Sequence, residues 1–258
     1  MTRRKSVADK PDTGYGRMND VTGPEIKPPP NVLLAGIAGS TAYGLAHEGS
    51  DIDRIGTYAA PTSEFHGLHL PVGKAATWVS SKPDATFHEA GKLVALLLKS
   101  NPTVTELLWL PRYEVTTPAG EALTAIRSKF LSAGMARNAY CGYATSQFGK
   151  LENRGDGSFS ADTRKRTEKH ARHLWRLLHQ GAELHRTGYL PVRLLPDDAA
   201  TCREFGERVA AGDLDLARKA LSDAENVYLT PGELPARPDE AAAEAWLQDV
   251  RRAYWEDR

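Results

Sequence analysis

Two aspartates at i and i+2, Asp51 and Asp53, are separated by ten residues from a Gly39-Ser40 pair that closes a short apolar run. On a β-strand, carboxylates at i and i+2 project from the same face. Their oxygens can share two divalent cations at the separation of ~3.5–4 Å used in two-metal catalysis. Magnesium suits such a site, because it prefers hard oxygen ligands and keeps positions open for substrate phosphates. Manganese is the alternative ion. The Gly-Ser turn lets the backbone approach a ligand closely. Its N–H groups can hold phosphate oxygens, and the Ser40 hydroxyl adds a contact. An acid pair beside a phosphate-holding turn implies a metal-bound triphosphate.

A second constellation lies in residues 162–187, which read as one long helix. Lys165, Lys169, Arg172 and Arg176 recur at i, i+4, i+7 and i+11 and form one stripe. Ala171, Leu174, Trp175, Leu178 and Ala182 form the opposite, core-facing side. Arg164, Lys165 and Arg166 gather at the helix start, where cations oppose the helix dipole and do not stabilise it. An anionic ligand, triphosphate or RNA backbone, explains them; a solvated cationic face is the competing reading. His170 falls towards the apolar side, where a hydrogen-bonded core histidine is the plain expectation, and His173 towards the polar side. Zinc is disfavoured, since the two histidines have no cysteine or acid at ligand spacing. Tyr43, Tyr140, Tyr143 and Phe148 can stack on a base, but core packing is the stronger reading. Cys141 reads as a small core residue. No Gly-x-x-x-x-Gly-Lys-Ser/Thr segment supports a P-loop.

These residues must be positioned by an ordered frame. Residues 1–30 are polar and broken by Pro11, Pro24, Pro28, Pro29 and Pro30, the composition of a disordered leader. Residues 32–38 read as a buried strand, and 51–58 as a strand with both acids on one face and Ile52 on the other. Further strands are expected near 75–79 and 85–87, the latter leading into a helix over 88–99 that Asn101-Pro102 stops. From Pro118 onward the pattern is helical: 118–132, 135–151, 162–187, 199–211, 214–226 and 239–256, with a Gly155-Asp156-Gly157-Ser158 loop before the longest. Strands first and helices after is an α+β order, with a boundary near residue 133.

Composition narrows the function classes. The 258 residues carry 33 Lys+Arg and 33 Asp+Glu, a formal net charge of zero that excludes a general polycationic binder. It leaves room for separated acidic and basic patches. Two cysteines, Cys141 and Cys202, make no disulfide framework and fit a reducing cytoplasm. The aliphatic run 93–98 is far too short to span a bilayer. No apolar stretch follows Thr2-Arg3-Arg4-Lys5, as a secretory signal would require.

The string Gly-Ser-x-Ala-Tyr-Gly at 39–44, followed by Ser-Asp-x-Asp-x-x-Gly at 50–56, resembles the nucleotidyltransferase superfamily related to DNA polymerase β, and most closely its bacterial and phage RNA-repair-linked type. The likeness continues through Asn101-Pro102 and Glu106-Leu107-Leu108, Tyr140 and Gly142-Tyr143-Ala144, Lys169-His170 and His173-Leu174, Arg176-Leu177-Leu178, and 190–194. It covers roughly residues 32–195. The resemblance implies a polymerase-β-like core, a small mixed sheet with flanking helices, over 31–133, and a helical C-terminal region over 134–258. It implies Asp51 and Asp53 as metal-holding catalytic acids, with a third acid from a later strand. Asp84 is preferred for that place, Glu89 is next, and Glu106 is read as a structural acid. Gly39, Ser40, Tyr43, Lys169, His170, His173 and Arg176 are the implied nucleotide contacts. The expected activity is transfer of a nucleoside monophosphate from an NTP, ATP favoured, to a hydroxyl. The acceptor would be an RNA or tRNA end, or a protein hydroxyl as in antitoxin-like transferases. A silent nucleotide or RNA sensor is disfavoured by the intact acid pair. A dinucleotide-binding turn at Gly36, Gly39 and Gly44 departs from Gly-x-Gly-x-x-Gly spacing.

Overall fold

Strand β1 (Val32–Ile37) follows the last of the prolines and runs through the centre of the fold. The computed structural model describes residues 26–152 and 161–255. Most of the expected leader and the 155–158 loop therefore lie outside the described residues. Apolar β1 pairs antiparallel with β2 (Arg54–Tyr58) on one side and with the short β5 (Val115–Thr116) on the other. On the far side of β2 lies β4 (Asp84–Glu89), parallel to it, and β3 (Thr77–Ser81) closes that edge as a hairpin partner of β4. The sheet is thus mixed, with order β3-β4-β2-β1-β5.

The sheet has cores on both faces. Leu33, Leu34 and Ile55 join the main core with Leu93, Leu97, Leu107 and Phe130. Ala35, Tyr58, Ala85 and Phe87 form a second cluster, against which Trp78 packs edge-on to Phe87. The alternation follows from the two-residue side-chain period of a strand. A register shift between Val32 and Leu34 interrupts it.

Helix α1 (Gly39–Tyr43) follows β1 directly, and α2 (Ala90–Leu97) follows β4. Asn101 then does more than end α2. Its Oδ1 accepts the Val104 N–H, and Pro102 takes the first position of α3 (Pro102–Glu106), where its missing donor costs nothing. Thr117 and Pro118 repeat this start for α4 (Pro118–Ala125).

The helical half matches the expected helix spans closely: α5 (Ala133–Glu152), α6 (Ala161–Thr187), α7 (Pro196–Ala210), α8 (Leu214–Val227) and α9 (Glu240–Ala253). Helix α6 packs against α5, α7 and α8, burying Ala171, Leu174, Leu178 and Ala182 as its spacing requires. Helix α9 returns to the strand half. It packs on α2 and α4, and the Trp246 indole N–H donates to Ala119 O at 2.9 Å. No helix among the described residues is long and apolar enough to cross a membrane.

Candidate active site

The acid pair lies at the mouth of β2 and not within it. The strand starts at Arg54, opposite Ile37, the last residue of β1. Beyond that point the chain of β1 turns into α1, so Asp51 and Ile52 have no ladder partner on that side and are irregular. One further bond holds the approach: the Ala38 N–H donates to Asp53 O at 2.9 Å.

Gly39 is the residue that lets Asp53 sit there. Its φ is +62°, and a Cβ at this position would stand 1.9 Å from Asp53 Oδ2. No other residue combines that backbone with that space. Gly44, with φ +75°, closes α1 in the left-handed conformation, and its N–H donates back to Thr41 O.

Asp84 arrives from the other side. The parallel register pairs Arg54 with Ala85, so the residues one step earlier, Asp53 and Asp84, enter the sheet side by side. Pro83 does not break this strand; Lys82-Pro83 is the turn of the β3–β4 hairpin, and Asp84 is the first residue after it. Burial, the Asp84 charge and the Asp51 charge all raise the pKa of Asp53, and Lys169 opposes them. Three carboxylates and one lysine, from the approach to β2, from β4 and from α6, therefore share one electrostatic site.

The other two acids lie elsewhere. Glu89 is buried at the far end of β4, caps α2 through the Gly91 N–H at 2.7 Å, and is paired with Arg251 by two bonds of 2.6 and 3.0 Å. Glu106 is 2% exposed. It accepts the Tyr43 hydroxyl at 2.7 Å and forms a buried ion pair with Arg176 Nη1.

This pair divides the expected basic stripe of α6. Lys165 and Lys169 are exposed, whereas Arg172 is half-buried, pairs with Glu168 at 3.2 Å and lies over Gly206 of α7. Arg176 is 5% exposed, stacks its guanidinium 3.8 Å above the Tyr43 ring and donates to Gln180 Oε1 at 2.7 Å. Burial lowers its pKa, but Glu106 and Tyr43 more than offset this and hold it charged. The stripe splits because α7 and the Glu106 segment cover its C-terminal part.

His173 belongs to the same network and is half-buried, not on an open polar face. Its Nδ1 meets Arg176 Nη2 at 3.0 Å, and burial together with that charge pushes its pKa down to about 3. A neutral ring accepting from Arg176 is the consistent state. His170 Nδ1 lies 2.9 Å from Gln147 Oε1, the hydrogen-bonded setting its apolar position suggests. Burial, followed by the competing Arg176 and Glu106 charges, leaves the Tyr43 pKa well above its ordinary value. Tyr140 and Phe148 are core residues, while exposed Tyr143 accepts the Asn101 amide N–H at 2.8 Å. Of the implied nucleotide contacts, Gly39, Ser40 and Lys169 border the acids, and Tyr43, His173 and Arg176 form a brace behind α1. Spacing gave no sign of Gln180, fully buried, or of Arg203, whose Nη2 donates to Gly44 O at 3.3 Å.

The chain matches a family described as RlaP, the RNA repair pathway DNA polymerase beta family, over residues 17–222. It belongs to that family. No curated protein matches it. The RlaP match contains all the strands among the described residues, both sides of the acid site and the whole of α6, and ends within α8. A nucleotidyltransferase-type role follows from membership of the polymerase β family.

The carboxylates suit a hard divalent cation in donor chemistry and charge: burial first and then the Asp84 and Asp51 charges raise the Asp53 pKa, and a dication would offset the part due to repulsion. Among the described residues no group of three or more His, Cys, Asp or Glu side chains stands close enough to hold a metal ion, so the three aspartates are electrostatic neighbours and not a formed ligand set.

Proposed function

We propose that the chain is a metal-dependent nucleotidyltransferase that moves a nucleoside monophosphate from an NTP, with ATP favoured, to the hydroxyl of an RNA or tRNA end. The observation that supports this reading best is the electrostatic proximity of Asp51 and Asp84 to Asp53, beside the Gly39 turn. Asp51, Asp53 and Asp84 would hold magnesium or manganese, as two ions. When bound, these ions supply charge stabilisation at the α-phosphate and the departing pyrophosphate.

The chain's own groups do the rest. Asp84 takes the proton of the attacking hydroxyl as its oxygen bonds to the α-phosphorus. The bond from the α-phosphorus to the bridging oxygen breaks, and pyrophosphate leaves. Lys169, exposed and close enough to act on Asp53, sets a positive charge against the phosphates. Gly39 keeps Asp53 in place, and the Ser40 hydroxyl and the adjoining N–H groups contact the triphosphate. The Glu106–Arg176–Tyr43 brace fixes α1 from behind. Two free, buried cysteines are in keeping with a cytoplasmic setting.

The test is incubation with each α-labelled NTP, magnesium, and either RNA or a cell lysate. Label in RNA supports the proposal. Label in protein moves the acceptor to a protein hydroxyl. Nucleotide binding with no label transferred to either overturns it.

A further inference from the structure

A cavity of about 510 Å³ opens at the end of β4 opposite the acids. Asp84 begins this six-residue strand and Glu89 ends it, which at ~3.3 Å per residue separates the two by roughly 16 Å. The cavity lies where the parallel strands β2 and β4 end. Its size falls within the ~300–1,000 Å³ typical of small-molecule sites.

Two chemistries line it. Phe65, Pro71, Val72 and Ala76 give an apolar wall, and exposed Leu68 and Leu70 extend the same loop outside it. Lys74, Lys92 and Arg251 give three cations. Buried Glu89 answers only one of them. Both its oxygens are bonded to Arg251, whose guanidinium also stacks 4.1 Å over Phe65. Lys92 Nζ donates to Gly73 O at 2.9 Å and to Thr77 Oγ1, which are neutral acceptors. Its charge is felt nearby: after burial, it is what lowers the His88 pKa, to about 4. Among the described residues neither Lys74 nor Lys92 has an ion-pair partner. A concave apolar wall with two uncompensated ammonium groups selects a particular class of ligand.

We propose that this cavity binds a small organic anion, with its apolar body against Phe65, Pro71 and Val72 and its carboxylate, phosphate or sulfonate group on Lys74 and Lys92. The site shares no residue with the acid cluster and does not depend on nucleotidyl transfer.

The test uses two dyes of nearly the same shape on the full chain, the anionic 8-anilinonaphthalene-1-sulfonate and the neutral N-phenyl-1-naphthylamine. The anionic dye is expected to saturate at one per chain and to bind more tightly than the neutral dye. The double variant K74E/K92E is expected to weaken the anionic dye roughly tenfold and to leave the neutral dye within about twofold. V72D is expected to weaken both. Lys74 is exposed, so K74E alone preserves the fold and is expected to weaken the anionic dye about threefold. Far-UV circular dichroism confirms folding of each variant. Unsaturable binding, or unchanged anionic-dye affinity in folded K74E and K74E/K92E, overturns the proposal.

Discussion

The Glu106–Arg176 pair is the most exacting place to test the packing behind the site. Replacing Arg176 with Met leaves the Glu106 carboxylate, 2% exposed, with the Tyr43 hydroxyl as its remaining bond among the described residues. It also strips Gln180 Oε1 and His173 Nδ1 of their donor. Removing one partner of a buried ion pair costs about 3–5 kcal/mol, because an uncompensated charge stays inside. For a chain of this size, about 1 kcal/mol moves the melting temperature by ~2–4 °C, so R176M should lose roughly 6–20 °C. E106Q removes the charge of the other partner and should lose a similar amount by stranding a buried guanidinium. The double variant E106Q/R176M buries no charge and keeps an acceptor for Tyr43. It should recover most of the loss and end within about 2 kcal/mol of the native chain. Thermal melts and urea titrations of all four proteins close the cycle. Single losses below about 1 kcal/mol, or a double variant equal to the sum of the singles, would refute the reasoning.

Three further outcomes are expected. G39A should abolish nucleotidyl transfer, because its Cβ would lie 1.9 Å from Asp53 Oδ2; the strained backbone costs only ~1–3 kcal/mol, so the variant should still melt cooperatively. His173 has a folded pKa lowered from its ordinary 6.5 to about 3. Protonation therefore favours the unfolded chain, and its contribution is whole above about 6.5 and lost as pH falls towards about 3. H173Q should make that acid limb shallower without removing it, because His88 and His179 also have lowered pKa values, as read from urea midpoints between pH 7 and pH 4; an unchanged limb would show that His173 does not contribute. The Tyr140 hydroxyl is buried with no hydrogen-bond partner among the described residues, so Y140F should be neutral or stabilising in the same melts. A loss above about 1 kcal/mol would reveal a partner for it.

Much of this fold is legible in local patterning. The helices from α6 to α9 follow from apolar spacing, whereas α5 carries almost no amphipathic pattern; β1 follows from a short apolar run between prolines and Gly39. The pieces that were not legible depend on distant partners. Where β2 begins is decided by where β1 runs out, so the acids lie at its mouth although Asp51-Ile52-Asp53 alternates like a strand. Pro83 argues against a strand at Asp84 until the hairpin with β3 makes it a turn residue. Arg176 falls on the basic stripe of α6 by spacing alone. Only the approach of Glu106, 70 residues earlier in the chain, shows that this arginine is inside the protein. Likewise Glu89 and Arg251 are 162 residues apart, and nothing local to either predicts the pair. Of the residues that the family resemblance implied, Asp51, Asp84 and Lys169 lie within electrostatic reach of Asp53. The resemblance said less about Tyr43 and His173, which the structure gives to the brace behind α1.

The most direct measurement of the central claim is transfer of label from an α-labelled NTP to an acceptor in magnesium, comparing the native chain with D53N and D84N of confirmed melting temperature. The native chain should transfer label, and both variants should fall to background while remaining folded. Transfer at the native rate by either variant would contradict the assignment of these carboxylates to the reaction.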